Sequence, residues 1–348
     1  MSLKKTLRTF GLSSFGLVTL GLATSASLAL VACGGDDGDG GDNTPIEIDP
    51  NGTHTQFVVN NLMVPKSAAE ASAVALDLNG DGRVDNALGG LLGALVTQAD
   101  LDLQTSVDEQ LDNATFSLLV SMQATSLANA NGAGAFMFFG ENPMPAACTD
   151  PMDPLTCGKH LAGDASFDIA ANSPTDASIG GLIAGGAFSG GPGKVSIELP
   201  LGDGAPLRLD LIAAYMEVDA SDSALMSGKL SGAITEDDVN NELMPAVQVL
   251  IANIITEDCT PTGKDCGCVA DSTAITVLNF FDTNGDCEVP LQELNENSLI
   301  GATILNPDLD LLDETGAFNP GVDGVDDSLS IGIGFTAVPA TFTLPAGI

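Results

Sequence analysis

Apolar residues fall on every second position in a series of short segments along this chain. Phe116, Leu118, Val120 and Met122 alternate with Thr115, Ser117, Leu119 and Ser121, and Val195, Ile197 and Leu199 alternate with Lys194, Ser196 and Glu198. Leu207, Leu209 and Leu211 alternate with Arg208 and Asp210, and Met226, Gly228, Leu230, Gly232 and Ile234 alternate with Ser227, Lys229 and Ser231. The pattern returns at Leu329, Ile331, Ile333 and Phe335, and residues 55–64 (TQFVVNNLMV) are strand-like too. A period of two over successive short runs predicts an antiparallel sheet with one wet face. Gly202-Asp203-Gly204 reads as a turn. The glycine-rich stretch 180–193 fits neither period.

Helical spacing takes over between the strands. Thr235-Glu236-Asp237-Asp238 is a helix start, because acidic residues favour the first turn. Val239, Leu243, Val247, Leu250, Ile251 and Ile254 then form a stripe for burial, with Pro245 expected to kink or restart the helix. Further helices are expected over about 272–281, 66–76 and 86–96. Return of a strand pattern after the helical interlude argues for one domain. The expected fold is α+β, a β-rich single domain over 53–348 built as an antiparallel sheet or sandwich with a few packed helices.

Charge narrows the partners. The chain has 47 acidic residues against ten Lys and Arg, for a net charge of −37. Removal of residues 1–32 takes three of the basic residues and no acidic one, leaving about −40. Nucleic acid is excluded as a natural partner, since phosphate binding requires a basic surface. With no Trp, one Tyr (Tyr215) and 14 Phe, a carbohydrate-stacking surface is disfavoured as well.

The N-terminus supplies a location. Lys4, Lys5 and Arg8 precede a mostly apolar run from Phe10 to Leu30, and Leu30-Val31-Ala32-Cys33 opens onto a Gly/Asp stretch. This arrangement resembles the bacterial lipoprotein signal, which implies cleavage after residue 32 and acylation of Cys33. A plain secretory signal or a transmembrane helix is the alternative, as the run is long enough to span a bilayer. Residues 33–52 read as a flexible tether. The expected location is the cell envelope, as an outer-membrane lipoprotein facing the periplasm or the cell surface, held to the membrane by its lipid.

Six further cysteines, Cys148, Cys157, Cys259, Cys266, Cys268 and Cys287, make an even number in an exported chain and read as three disulfides. Cys148 is expected to pair with Cys157 and the other four among themselves. Cys266 and Cys268 are too close to pair comfortably, so each should reach Cys259 or Cys287. A zinc cluster of the last four is the competing reading.

Two segments carry the pattern of an EF-hand calcium loop. In 77–88, Asp77, Asn79 and Asp81 stand at positions 1, 3 and 5, Gly82 at the sharp turn, the Arg83 carbonyl at 7 and Val84 at the hydrophobic position 8. Leu88 occupies position 12, where a bidentate Glu belongs, so a coordinating carboxylate comes from Asp85, from elsewhere, or not at all. In 282–293, Asp282, Asn284, Asp286, the Glu288 carbonyl and Glu293 fill the pattern, but Cys287 replaces the turn glycine. That position needs φ > 0, and a disulfide from Cys287 would help to hold it. Ordinary Asn/Gly/Asp turns are the alternative for both. A third acidic segment, with Asp308, Asp310, Asp313, Glu314, Asp323, Asp326 and Asp327, matches no loop spacing.

Catalytic signatures are weak. His54 and His160 have no companion motif and read as solvated or capping residues. Gly191-Pro192-Gly193-Lys194 is similar to the end of a phosphate-binding loop, but Phe188 and Val195 stand at two of its required positions.

Together the lipobox, DLNGDGRVDNALG at 77–89, FFDTNGDCEVPLQEL at 280–294 and GVDGVDDSLSIGIGFTAVPATF at 321–342 resemble uncharacterised lipoproteins of myxobacterial-type genomes. The resemblance implies an exported, calcium-binding protein and supplies no catalytic residue. The reading is therefore a lipid-anchored structural or adhesive protein with calcium in two loops. The alternatives are a carrier of an apolar ligand in a sheet–helix cavity, or an enzyme whose acidic residues converge in a cleft.

Overall fold

Strand pairing follows from the alternation, and it closes on itself. In the computed structural model, which describes residues 45–99, 103–199, 206–260 and 265–348, the strands are β1 (Thr53–Met63), β2 (Leu118–Ala124), β3 (Asn129–Met144), β4 (Ala165–Ile169), β5 (Ser178–Ala184), β6 (Ala187–Leu199), β7 (Leu207–Ser221), β8 (Ala224–Thr235) and β9 (Ser328–Phe342). All except β4 form a ring of antiparallel neighbours in the order β1-β2-β3-β5-β6-β7-β8-β9, and β9 pairs back onto β1. The β-rich α+β body is thus a closed eight-stranded up-and-down barrel rather than an open sheet or a sandwich.

Register explains the filling. Phe57 faces Val120, Val120 faces Met137, Ile197 faces Leu209, Met216 faces Leu230 and Leu230 faces Ile333. Apolar side chains of neighbouring strands therefore meet on the inner face of the barrel, and all of these residues are buried. Eight strands enclose a space just wide enough for side chains to fill. Outward positions on β6, β7 and β8, among them Lys194, Glu198, Arg208, Asp210, Glu217 and Lys229, are polar, the reverse of the alternation that a membrane-spanning barrel needs. Among the described residues no helix is long and apolar enough to cross a membrane.

Several expectations change here. β2 has no wet face: all seven of its residues are buried. β4 pairs with both β3 and β9, and its Ala165 and Phe167 pack with Val58, Leu119 and Phe138 on the outside of the barrel. Bulges shift the inward set within β7 and β8. Ser227 has φ 53°, so Leu225 turns inward while Met226 is 52% exposed. The unplaced segment 180–193 is the β5–β6 hairpin. A Cβ on Gly181 or Gly190 would collide with the Phe188 ring or the facing backbone, so only glycine fits there.

The expected tether also ends sooner than residue 52. The Asp49 amide donates to the Gly132 carbonyl (2.9 Å), and Ile46 and Ile48 lie partly buried in a groove that Gly134 and Gly180 keep open by lacking side chains. Residues 1–32 with the lipobox, Cys33 and the turn 202–204 lie outside the described residues. The described residues, from 45 onward, form one compact unit.

The helices gather at one end, because the β1–β2 and β8–β9 connections leave from the same rim. The first connection carries α1 (Ala68–Ala73), α2 (Ala87–Ala99) and α3 (Leu103–Asp112). The expected helix at 66–76 is shorter than its Ala-rich stretch, with Ser67 as its side-chain N-cap. α3 had no counterpart in the sequence reading. The second connection starts with a helical turn at Glu236–Asp238 and a π-helical turn at Val239–Leu243, and continues as α4 (Met244–Asp258). Pro245 sits in the first turn of α4, and the wider π turn before it accommodates the missing amide. α5 (Thr273–Phe281), α6 (Leu291–Glu296) and α7 (Ser298–Gly301) follow.

Candidate metal loops

The two acidic loops adopt the same turn. In the first, the Gly80 amide donates to Asp77 Oδ1 (2.7 Å), the Gly82 amide to Asp77 Oδ2 (2.8 Å) and the Arg83 amide to Asp81 Oδ1 (2.8 Å). In the second, the Gly285 amide donates to Asp282 Oδ1 (2.6 Å), the Cys287 amide to Asp282 Oδ2 (2.9 Å) and the Glu288 amide to Asp286 Oδ1 (3.0 Å). Position 6 is left-handed in both, at φ 84° for Gly82 and 71° for Cys287. Asn79 Oδ1 accepts from the Asp81 amide (3.0 Å), while Asn284 and Glu288 are exposed.

Their surroundings differ. The first loop lies on the outer wall of the barrel. Asn86 clamps it there: Nδ2 donates to the carbonyls of Ala71 and Gly332, and Oδ1 accepts from the amides of Gly89 and Gly332. Leu78 packs on Ala213, Ala233, Leu309 and Leu311. Val84, expected as a hydrophobic plug, is 49% exposed. Leu88, at position 12, is buried in the core. Asp85 Oδ2 accepts from the Leu78 amide (2.8 Å). Burial pushes its pKa up to about 6, the Leu78 hydrogen bond opposes this, and the charges of Asp308, Asp77 and Asp81 add to it. The structure thus brings Asp308 of the third acidic segment beside the first loop, a proximity that spacing along the chain did not reveal.

The second loop is embedded in the helical end between α5 and α6. Val289 is buried, and so is Glu293, at 7% exposure. Thr283 Oγ1 donates to Glu293 Oε1 (2.9 Å), while Glu293 Oε2 is buried without a hydrogen-bond partner. Three disulfides join Cys148 to Cys157, Cys259 to Cys268 and Cys266 to Cys287, in agreement with the pairing constraint read from the sequence. The last bridge anchors position 6 of this loop.

Among the described residues no three carboxylate, imidazole or thiol groups converge as a metal-holding set. Asp77, Asp81, Asp282 and Asp286 are each turned to backbone amides. In the third acidic segment Asp313 and Asp323 tie local turns, while Asp308, Asp310 and Asp327 tie its distant parts together. Asp308 accepts from the Ser330 amide and hydroxyl, Asp310 from the Gly324 amide, Asp313 from Thr315 and Ala317, Asp323 from the Val325 amide and Asp327 from the Leu312 amide.

Other sequence candidates find structural places. His54 Nδ1 is 3.0 Å from Ser121 Oγ, and burial lowers its pKa. His160 is not solvated: at 1% exposure it packs edge-on against Phe167, and burial holds its pKa below the usual value although the Leu111 carbonyl and Asp112 oppose this. Lys194 and its glycines lie within β6, so they form no phosphate loop.

A feature without a motif is a cavity of about 50 Å³ in the helical end. It is walled only by aliphatic residues and Phe281, from α2, α3, the π turn, α4, α5, the end of β6, and Ile300 and Ile304. Comparisons of the chain with protein-family models, with curated proteins and with solved structures find no match.

Proposed function

We propose that this is an exported protein of the cell envelope, anchored to the membrane by lipid on Cys33, whose loops 77–88 and 282–293 bind calcium as structural clips. Its role is structural or adhesive. The observation that carries the calcium reading is Glu293: position 12 of the loop is filled by a buried carboxylate with an oxygen that has no partner. Leaving such an atom unsatisfied costs about 1–3 kcal/mol, and a cation would supply the partner. Asp282, Asn284, Asp286, the Glu288 carbonyl and Glu293 would hold one ion. Asp77, Asn79, Asp81, the Arg83 carbonyl and Asp85 would hold the other, where the ion would also relieve the repulsion that adds to burial in raising the Asp85 pKa.

A thermal melt tests this directly. Calcium at 100-fold its dissociation constant adds about 2.7 kcal/mol per site, so the melting temperature should rise between chelator and millimolar calcium. Asp77→Ala and Glu293→Gln should each remove part of the rise and the double variant nearly all of it, with magnesium a poor substitute. An unmoved melt would leave the loops as turns only. For the anchor, mass spectrometry of the N-terminal peptide should find an acylated Cys33. The carrier reading is not adopted, because the barrel is filled and the cavity of about 50 Å³ is far below the ~300–1,000 Å³ of ligand pockets.

A further inference from the structure

Position 6 is the point at which the two loops should differ most and do not. Gly82 and Cys287 hold the same left-handed conformation, and each directs its amide to the first aspartate of its loop, at 2.8 and 2.9 Å. For glycine that conformation is free, whereas for any residue with a Cβ it costs about 1–2 kcal/mol. What distinguishes Cys287 is its bond to Cys266, itself two residues from Cys268, which is bridged to Cys259 just beyond the end of α4. Position 6 is therefore fixed through covalent links to the end of α4, which packs against α5 and α6 in the helical end.

We propose that the Cys266–Cys287 disulfide is the positioning element of the second calcium loop, standing in for the glycine that such a loop otherwise requires. The inference rests on the calcium reading of residues 282–293, for which the buried, half-unpartnered Glu293 is the independent sign. With the bond in place, the turn that aims the Cys287 amide at Asp282 is held before any ion arrives. Without it, a residue bearing a Cβ leaves the left-handed region for most of the time, Asp282 loses that amide, and the ion must restore the turn at its own expense. A penalty of this size lowers affinity about tenfold.

Calorimetric titration of the full-length chain in detergent with calcium chloride tests this, with Asp77→Ala in every sample to silence the first loop. Adding Cys266→Ser and Cys287→Ser should weaken binding about tenfold relative to the Asp77→Ala parent. Adding Cys266→Ser and Cys287→Gly instead, which removes the same bond but supplies the permissive residue, should restore affinity to within about threefold. Circular dichroism melts of each sample establish that the barrel is intact. Unchanged affinity in the serine variant overturns the inference and leaves the calcium site standing. A glycine variant as weak as the serine variant overturns it too, by showing that the bond supports the helical end in general rather than the turn. A folded parent that takes up no calcium overturns the calcium reading and this inference with it.

Discussion

Inside the barrel Phe57, Met122, Met137, Ile197 and Leu209 are 1% exposed or less, whereas at the helical end Leu92, Val247, Leu250 and Ile254 border a cavity and remain partly open to solvent. The same kinds of residue pack to different completeness because their frameworks differ. A closed ladder fixes every strand against two neighbours, so each inward side chain meets a partner across a set register. The helical end is made of pieces such as α5, α6 and α7, of nine, six and four residues, well under the ~12–15 at which a helix is even marginal alone. Two of the three disulfides and the loop around Glu293 lie in this less complete region. Covalent ties, and the loop proposed to hold calcium, are thus placed where apolar burial supplies least.

The largest expected effect tests that contrast in packing. Phe57→Ala should lose about 3–5 kcal/mol, since the filled barrel cannot collapse around the vacancy. Leu250→Ala removes a side chain that already borders empty space and water, and should lose about 1–2 kcal/mol. Urea denaturation of both variants measures the difference. Equal losses would show that the helical end is as tightly packed as the barrel.

Next comes the tie between Cys266 and Cys287, which closes 21 residues. Chain-entropy reasoning gives its removal a cost of about 3 kcal/mol. The loss should be local: amide hydrogen exchange in α5 and α6 should speed up while β2, β3 and β9 keep their protection. Chelation of calcium should accelerate the same helical amides to a smaller degree. Uniform acceleration across the barrel would mean that the two regions unfold as one.

How much of this was legible in the sequence follows the same division. Strands with clean alternation, such as 194–199 and 207–211, were readable because one face is wet and the other buried. β3 and β5 were not, since their Gly and Ala residues give no period while making room for Ile46, Ile48 and Phe188. Closure into a barrel depends on β9 pairing with β1 across more than 270 residues, which no local pattern encodes. At the loops, the shared Asp/Asn turn and the cysteine constraint were readable. The burial of Glu293, the exposure of Val84 and the approach of Asp308 to Asp85 were not, because each is set by what packs around the loop.

The smallest expected effect concerns the outer cover of the barrel, where His160 packs beside Phe167 of β4 with Asp112 at the end of α3 as its charged neighbour. Burial lowers the His160 pKa in the folded state, so the neutral ring is the form that the fold accepts. Its contribution is present above the unfolded value of about 6.5 and is lost as pH falls below it. Asp85 acts in the opposite sense in the absence of calcium. Its pKa, raised to about 6 chiefly by burial, means that protonation removes a buried and repelled charge, so stability is gained as pH falls through that value. The His160 effect must therefore be read as a difference between proteins. Between pH 7.5 and pH 5 in chelator, wild type should lose more melting temperature than His160→Gln, which keeps a donor for the Leu111 carbonyl but cannot take up a proton. Equal losses would show that the cover over β1 and β4 opens easily enough to hydrate the ring, and the sealing attributed to the barrel would then apply to its interior alone.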